Sequence, residues 1–473
     1  MPETVPTQLL VLGGGPGGYA AAFHAADRGL KVTLIDAQER PGGTCLYVGC
    51  IPSKAVLHAA KLITDAREAG HAGLTFAPPK IDINGVRGHW MKVVDTLTGS
   101  LARLCKVRKV DYVQGRGRFV DPLTVQVDGG NSYRFENCIL ATGSVPVRPP
   151  FANLASNRIM DSTGALKLEE IPPRLLVIGG GYIGLEMGYV YAALGSKVTV
   201  VELLDGLLPG VDRDLVLPLS KRLEQLFDKI YLKTKVAKLE VTPKGIKATL
   251  EGEEVTDKEQ VFERVLVAVG RRPNSRDLGL DKAGVEVDEK GFIKVNEQRR
   301  TSAERIFAIG DVAGEPMLAH KATYEGKVAA EVIAGEPSIY DARAVPAVVF
   351  TDPELAWCGL TETEAKRHQR EVKVIRFSWL GSGRALTLGR TEGLTKLIVD
   401  PQSERVLGVG IVGVEAGEMI AEATLAIEMG ATARDLALTI HAHPTLSESV
   451  MEAAELVSGS STHHPPKKSP ATA

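Results

Sequence analysis

The sequence predicts an α/β protein made of two similar strand–turn–helix units followed by a smaller α+β unit. Three observations carry this reading: an internal repeat built on glycine-rich turns, apolar runs that end in glycine, and a change of texture after Ala344. At roughly 100–200 residues per domain, a chain of this length holds about three domains.

The repeat comes first because it organises the rest. Residues 9–36 align with residues 175–202, with LLVLGGGPGGY…GLKVTLID lying over LLVIGGGYIGL…GSKVTVVE. Each copy reads strand, glycine turn, helix, strand. Each carries a G-x-G-x-x-G, formed by Gly13, Gly15 and Gly18 in one copy and by Gly179, Gly181 and Gly184 in the other. The first glycine permits a tight turn, the second lets the backbone approach a pyrophosphate, and the third lets the helix pack closely on its strand. The helix N-terminus then faces the anion. An acid, Asp36 or Glu202, falls 18 positions after the last glycine, where it can accept hydrogen bonds from a ribose. One such fingerprint alone is as readily a plain glycine turn. Two copies, each with strand, helix and acid, make two Rossmann-like dinucleotide-binding domains the better reading. Glu202 repels a 2′-phosphate, and Leu203 and Leu204 follow it, so the second fold favours NAD over NADP. Arg271 and Arg272 are the basic residues that could approach it and reverse that preference.

Further apolar runs end in glycine: ILATG at 139–143, VLVAVG at 265–270 and IFAIGD at 306–311. They read as buried parallel strands whose C-terminal ends meet a ligand. The plainer reading of Gly143 and Gly270 is a turn after a core strand. Asp311, a carboxylate at a strand end, suits a cofactor hydroxyl. After Ala344 the chain turns to VKVIRFSW, LTKLIVD and VLGVGIVG and then to helices, a third α+β domain.

Composition narrows the function classes. With 56 Lys+Arg against 58 Asp+Glu, there is no broad electrostatic reason to expect nucleic acid or a membrane surface. The stretch Leu175 to Leu194 is interrupted by Glu186, glycines and tyrosines, so no transmembrane span is expected. The opening MPETVPTQLL lacks the pattern of a secretory signal, which points to a reducing, cytoplasmic setting. Five cysteines are too few, and odd in number, for a disulfide scaffold. Cys105, Cys138 and Cys358 have no motif context and read as buried small apolar residues, and Trp90, Trp357 and Trp379 as core or interface packing. Ser458 to Ala473 has the composition of a disordered tail.

Cys45 and Cys50 sit in GGTCLYVGCIPSK. In a regular helix, residues five apart have Cα atoms roughly 8.7 Å apart, beyond the ~4.4–6.8 Å a disulfide needs. A bridge therefore requires distortion, which Gly49 makes cheap. Pro52 is tolerated only in a first helical turn, so a helix is expected to begin near Cys50, placing that sulfur at the positive end of the dipole. Two free buried cysteines remain an equal alternative from spacing alone. A zinc site lacks ligands, since Cys45, Cys50 and His58 make no ordinary set. A structural disulfide is disfavoured in a reducing compartment.

Taken together, GGTCLYVGCIPSK, both glycine fingerprints, IFAIGD and HAHPTLSE resemble the pyridine nucleotide–disulfide oxidoreductases from Gln8 to about Val457. The resemblance implies an FAD-binding domain at 7–148 and 272–343, interrupted by an NAD-binding domain at 149–271. A dimerisation domain at 344–457 and a disordered tail at 458–473 would follow. It implies an enzyme that oxidises a protein-bound dihydrolipoyl group and reduces NAD, working as a homodimer on the lipoyl domain of an acyltransferase. A relative acting on glutathione or mercuric ion, or a non-catalytic flavin-binding subunit, is the alternative. By motif, Cys45 would exchange with lipoyl sulfur and Cys50 would form a thiolate against the flavin. Lys54 would lie near the flavin and pair with Glu186. Asp36 would hold the adenosine ribose and Asp311 the ribityl chain, with Met317 and Ala319 (in MLAHKA) beside the flavin. Tyr47 departs from the family, which usually carries Asn there, and this bears on lipoyl access.

His443 and Glu448 admit two readings. His suits proton shuttling near neutral pH, and a carboxylate would fix its tautomer. Thr445-x-x-Glu448 is equally a capping box, the better reading by spacing alone. The resemblance reverses that order: His443 from the other subunit would be the acid/base for Cys45, oriented by Glu448. Because both roles call on the same carboxylate, Glu448 is expected to serve mainly one.

Overall fold

The computed structural model describes residues 3–459 and 461–464. Its first sheet has seven strands. Asp111–Gln114, Val32–Asp36, Thr4–Leu12 and Ser132–Leu140 run parallel, followed by the antiparallel Thr124–Val127 and Gly117–Asp121. The seventh strand, Ile306–Ala308, comes from far along the chain and lies parallel to Ser132–Leu140. Leu12 registers with both Ile35 and Leu140, and Leu140 with Ala308, so the strand ends that precede Gly13, Ala141 and Ile309 align along one edge. Ligands bind at such an edge in open α/β sheets.

A second sheet repeats this plan in the interval between those strands. Lys229–Tyr231, Lys197–Val201, Arg174–Ile178, Arg264–Val267 and Ile159–Met160 are all parallel. The middle strands read as unbroken apolar runs because both faces are covered: Leu9, Leu10 and Val11, like Leu175, Leu176 and Val177, are fully buried. Where the chain leaves the first unit and returns to it, Ser144–Pro146 pairs antiparallel with Arg271–Pro273.

The texture change after Ala344 marks a five-stranded antiparallel sheet that begins at Ala347–Val349. Trp379 is fully buried in its core, with Nε1 donating to Thr395 Oγ1 at 2.9 Å. A buried charge cluster ties this sheet to the second unit. Lys396 Nζ lies 2.8 Å from Asp212, 3.0 Å from Asp214 and 2.8 Å from Glu362. Asp212 also accepts from the backbone N–H groups of Glu362 and Thr363, the first turn of the helix Glu362–Arg367.

Two expectations need correcting. The stretch with the length and mean hydropathy of a membrane span is Gly43–Ala72, at 1.2, not 175–194. It is broken at Gly49, and its long helix packs on the helices Ile83–Val107 and Tyr182–Leu194. The tail is held at its start: Ser461 Oγ donates to Glu452, and His463 Nδ1 lies 2.6 Å from that carboxylate. The rest of the tail, 465–473, lies outside the described residues.

Candidate active site

The two sulfurs meet because one glycine breaks a helix. The helix Gly43–Val48 ends at Gly49 (φ −139°, ψ −118°), and Cys50–Glu68 starts immediately after it. A Cβ on Gly49 would lie 2.8 Å from Thr44 O and 3.2 Å from Cys45 Cα, so the break is packed tightly against the Cys45 backbone. Both thiols are free, the reduced form of the pair, and they are hydrogen-bond partners. Sharing that hydrogen bond with Cys50, together with burial, pushes the Cys45 thiol up. Cys50 moves the other way, to about 7: the hydrogen bond from Cys45 favours its thiolate, burial opposes, and Lys54 adds to the lowering. Its place in the first turn of a helix acts in the same direction. Tyr47 is turned aside, its hydroxyl donating to Arg40 O at 3.1 Å.

One turn after Cys50, Lys54 crosses to the second unit. Its Nζ lies 2.9 and 3.2 Å from the two oxygens of Glu186, a buried carboxylate on the helix Tyr182–Leu194. Glu186 Oε1 also accepts the Phe350 N–H at 2.9 Å, and the Phe350 ring sits under Nζ at 4.3 Å.

These residues form one end of a cleft of about 370 Å³. Gly13, Gly15, Asp36, Gly143, Asp311, Met317 and Ala319 also line it, along with Ser144, Tyr182 and Arg271. Gly13 and Gly179 take positive φ (110° and 109°), and a Cβ on Gly18 or Gly184 would collide with the carbonyl of Gly13 or Gly179. The helices Pro16–Ala26 and Tyr182–Leu194 begin at Gly15 and Gly181 with no side-chain cap, which leaves their first N–H groups for an anion. Uncapped glycine turns, close backbone approach and a carboxylate at the next strand end suit a dinucleotide in each unit, and the cleft beside the cysteines fits FAD.

The two acids have a task that the sequence reading did not foresee. Asp36 accepts from the N–H groups of Gly14 (2.5 Å) and Gln38 (2.8 Å), and Glu202 does the same with Gly180 (2.6 Å) and Leu204 (2.8 Å). Each clamps its glycine turn to the end of the second strand, at matching positions of the repeat. Arg271 does not pair with Glu202. Its guanidinium donates to Ser144 Oγ (2.8 Å) and Ser144 O (2.7 Å), and Ser144 Oγ in turn donates to Asp311 (2.5 Å). No salt bridge reaches Glu202 among the described residues. Gly270 (φ 117°) does not line the cleft and accepts from Val147 N beside the crossing strands.

His443 lies outside this cleft, its side chain 73% exposed, with Nδ1 2.9 Å from Glu448 Oε1. Glu448 Oε2 accepts the Thr445 N–H at 2.8 Å. The two roles therefore do not compete, because each oxygen takes one. The capping box is only half formed, since Thr445 Oγ1 donates to Ala442 O instead of accepting from the helix. Burial works to raise the Glu448 carboxyl, but the Thr445 N–H and His443 hold it below its ordinary range.

Comparison with known proteins agrees with this geometry. The family model described as pyridine nucleotide-disulphide oxidoreductase matches residues 7–326, and that family's dimerisation domain matches residues 345–454. The chain belongs to this family. It is 48% identical to a dihydrolipoyl dehydrogenase of Vibrio cholerae over 99% of both chains. It is 49% identical to one of Thermus scotoductus over 96% of this chain and 98% of the relative. Among solved structures, LpdA of Mycobacterium tuberculosis superimposes with a TM-score of 0.87 at 28% identity, covering 95% of this chain and 99% of that one. The HOCl-induced flavoprotein disulfide reductase RclA of Escherichia coli gives 0.85 at 28%, covering 95% and 100%. Within this pyridine nucleotide-disulphide oxidoreductase, motif reading missed Ser144 and Phe350 and gave Arg271 the wrong neighbour, Ser144 in place of Glu202 being its partner. All three act across large sequence separations, which leave no local pattern.

Proposed function

We propose that the chain is a homodimeric flavoprotein that oxidises dihydrolipoamide, carried on the lipoyl domain of an acyltransferase, and reduces NAD. The observation that carries this reading is the Cys45–Cys50 pair at the mouth of a dinucleotide cleft, beside an ion pair that reaches the second dinucleotide fold.

In the oxidised enzyme, one substrate sulfur attacks Cys45 Sγ. A substrate–Cys45 disulfide forms, the Cys45–Cys50 bond breaks, and Cys50 leaves as thiolate. The second substrate sulfur then attacks the first, forming the cyclic disulfide and releasing Cys45. The low pKa of Cys50 makes it the better leaving group and keeps it ionised, while the raised Cys45 holds the proton. The partner subunit's His443 takes the substrate proton; Glu448 on Nδ1 leaves Nε2 free to accept it. The exposure of His443 on its own chain supports donation to a second copy. On the same C-terminal unit, Met429, Leu438 and Ile440 stand 76, 70 and 96% exposed, apolar surface that a second copy would cover. A bound FAD supplies the two-electron carrier between Cys50 and a nicotinamide. Lys54 holds a positive charge beside Cys50, and Glu186 fixes that charge against the second fold.

Cys45→Ser tests the reading: dihydrolipoamide-dependent NAD reduction should be abolished with flavin still bound. Full activity in that variant would overturn it.

A further inference from the structure

We propose that Phe350, supplied by the C-terminal unit, is a positioning residue that holds Lys54 and Glu186 in place and thereby sets the charge beside Cys50. This rests on the role of Cys50 given above.

Phe350 follows the strand Ala347–Val349, outside both dinucleotide folds. With its ring under Lys54 Nζ and its N–H on Glu186 Oε1, one residue touches both members of a pair that already bridges the other two units. The two contacts answer different needs. Glu186 is buried and requires a donor besides the lysine. Lys54 is one-third exposed on a flexible stem, and a ring face restrains an ammonium that would otherwise sample solvent-facing rotamers.

The segment that presents Phe350 is itself anchored. Thr351 Oγ1 donates to Pro353 O at 2.8 Å. Buried Asp352 accepts from Arg390 at 2.5 Å and lies 3.6 Å from Arg222, which also pairs with Glu68 at the far end of the Lys54 helix. Docking of the C-terminal unit thus reaches the second fold at Arg222, which itself grips the first fold at Glu68, and delivers the aromatic ring between them. The charge that steadies the Cys50 thiolate then depends on a domain whose hydrogen bonds and ring contacts to that pair come, among the described residues, from Phe350.

The groups that act on Cys50 are Cys45 from the preceding helix, Lys54 on its own helix, and Glu186 and Tyr182 from the helix Tyr182–Leu194. Tyr19 on the first helix completes the set. Of these, Phe350 holds Lys54 with its ring and Glu186 with its N–H.

The test uses the full-length flavin-loaded protein, reduced anaerobically by two electrons. The readout is the pH midpoint of the long-wavelength absorption in which the Cys50 thiolate donates into oxidised flavin. In Phe350→Leu, which keeps apolar bulk and the backbone N–H, the midpoint should rise, with the band at pH 7 falling about two- to threefold. Phe350→Tyr, which keeps the ring, should titrate as the wild type, and Lys54→Met should shift at least as far as Phe350→Leu. A wild-type midpoint in Phe350→Leu, or equal shifts in the Leu and Tyr variants, would overturn the proposal. Absence of the band in the wild type would instead sink the reading of Cys50 itself, so the two failures are distinguishable.

Discussion

Replacing Cys45 by Ala asks how much of the Cys50 acidity comes from its neighbour. The Cys50 thiol sits at about 7 against an ordinary 9.0, and the largest cause is the hydrogen bond it receives from Cys45. A donor to the thiolate favours the charged form, so removing it raises the midpoint. Lys54 and the helix N-terminus remain, which sets the expected value in Cys45→Ala at about 8 or above. At pH 8 the thiolate fraction should then fall from about nine-tenths to about half or less. Cys45→Ser retains an O–H donor and should titrate between the two. The assay is a pH titration of the long-wavelength band in the single-cysteine variants, whose flavin stays oxidised, against the two-electron-reduced wild type. A midpoint in Cys45→Ala at or below that of the wild type would refute the hydrogen bond as the principal cause.

Three further outcomes follow from the geometry. Gly49→Ala puts a methyl against Thr44 O and the Cys45 backbone, and should cost about 2 kcal/mol of stability in urea unfolding while cutting dihydrolipoamide turnover more than tenfold. Lys396→Met removes the buried cation from Asp212, while Arg376 stays on Asp214 and Glu362, and should destabilise by about 3 kcal/mol. Burial opposes ionisation of Asp212 and Glu362, yet Lys396 with backbone donors holds Asp212 at about 2, and Lys396 with Lys366 and Arg376 holds Glu362 at about 2. Their contribution is therefore present above the ordinary carboxyl range and fades as pH falls from about 4.5 toward 2, a decline that thermal melts should show flattened in Lys396→Met. Glu448→Ala should lower kcat for dihydrolipoamide about tenfold, the loss of one charge-assisted hydrogen bond to His443, while NADH-driven reduction of ferricyanide stays unchanged.

Much of the fold was legible because its signals are local. Gly13, Gly18 and the matching Gly179 and Gly184 announce themselves by spacing, and so does the Gly49–Pro52 break that lets two cysteines five positions apart meet. What stayed hidden was long-range or doubled. Ser144 and Asp311 lie 167 positions apart, and nothing in either neighbourhood announces the other. Spacing sets the two roles of Glu448 against each other because a sequence does not show a carboxylate presenting two separate oxygens to two donors. Motif chemistry points Asp36 and Glu202 at a ribose and says nothing of the backbone N–H groups they clamp.

The edge strand Ile306–Ala308 has a consequence for biogenesis. Its register partners lie 168 positions upstream, so the first sheet cannot be completed until the whole intervening unit has been translated. At roughly 5–20 residues per second, the gap is on the order of ten seconds or more. Through that interval the free edge of Cys138–Leu140, beyond the stretch that Thr124–Val127 covers, is a short open row of backbone donors and acceptors, while the intervening parallel sheet already has every strand it needs. The nascent chain should therefore fold from the inside outward, with a sheet one strand short as its characteristic hazard and ribosome-bound truncations ending before residue 306 as the place to catch it.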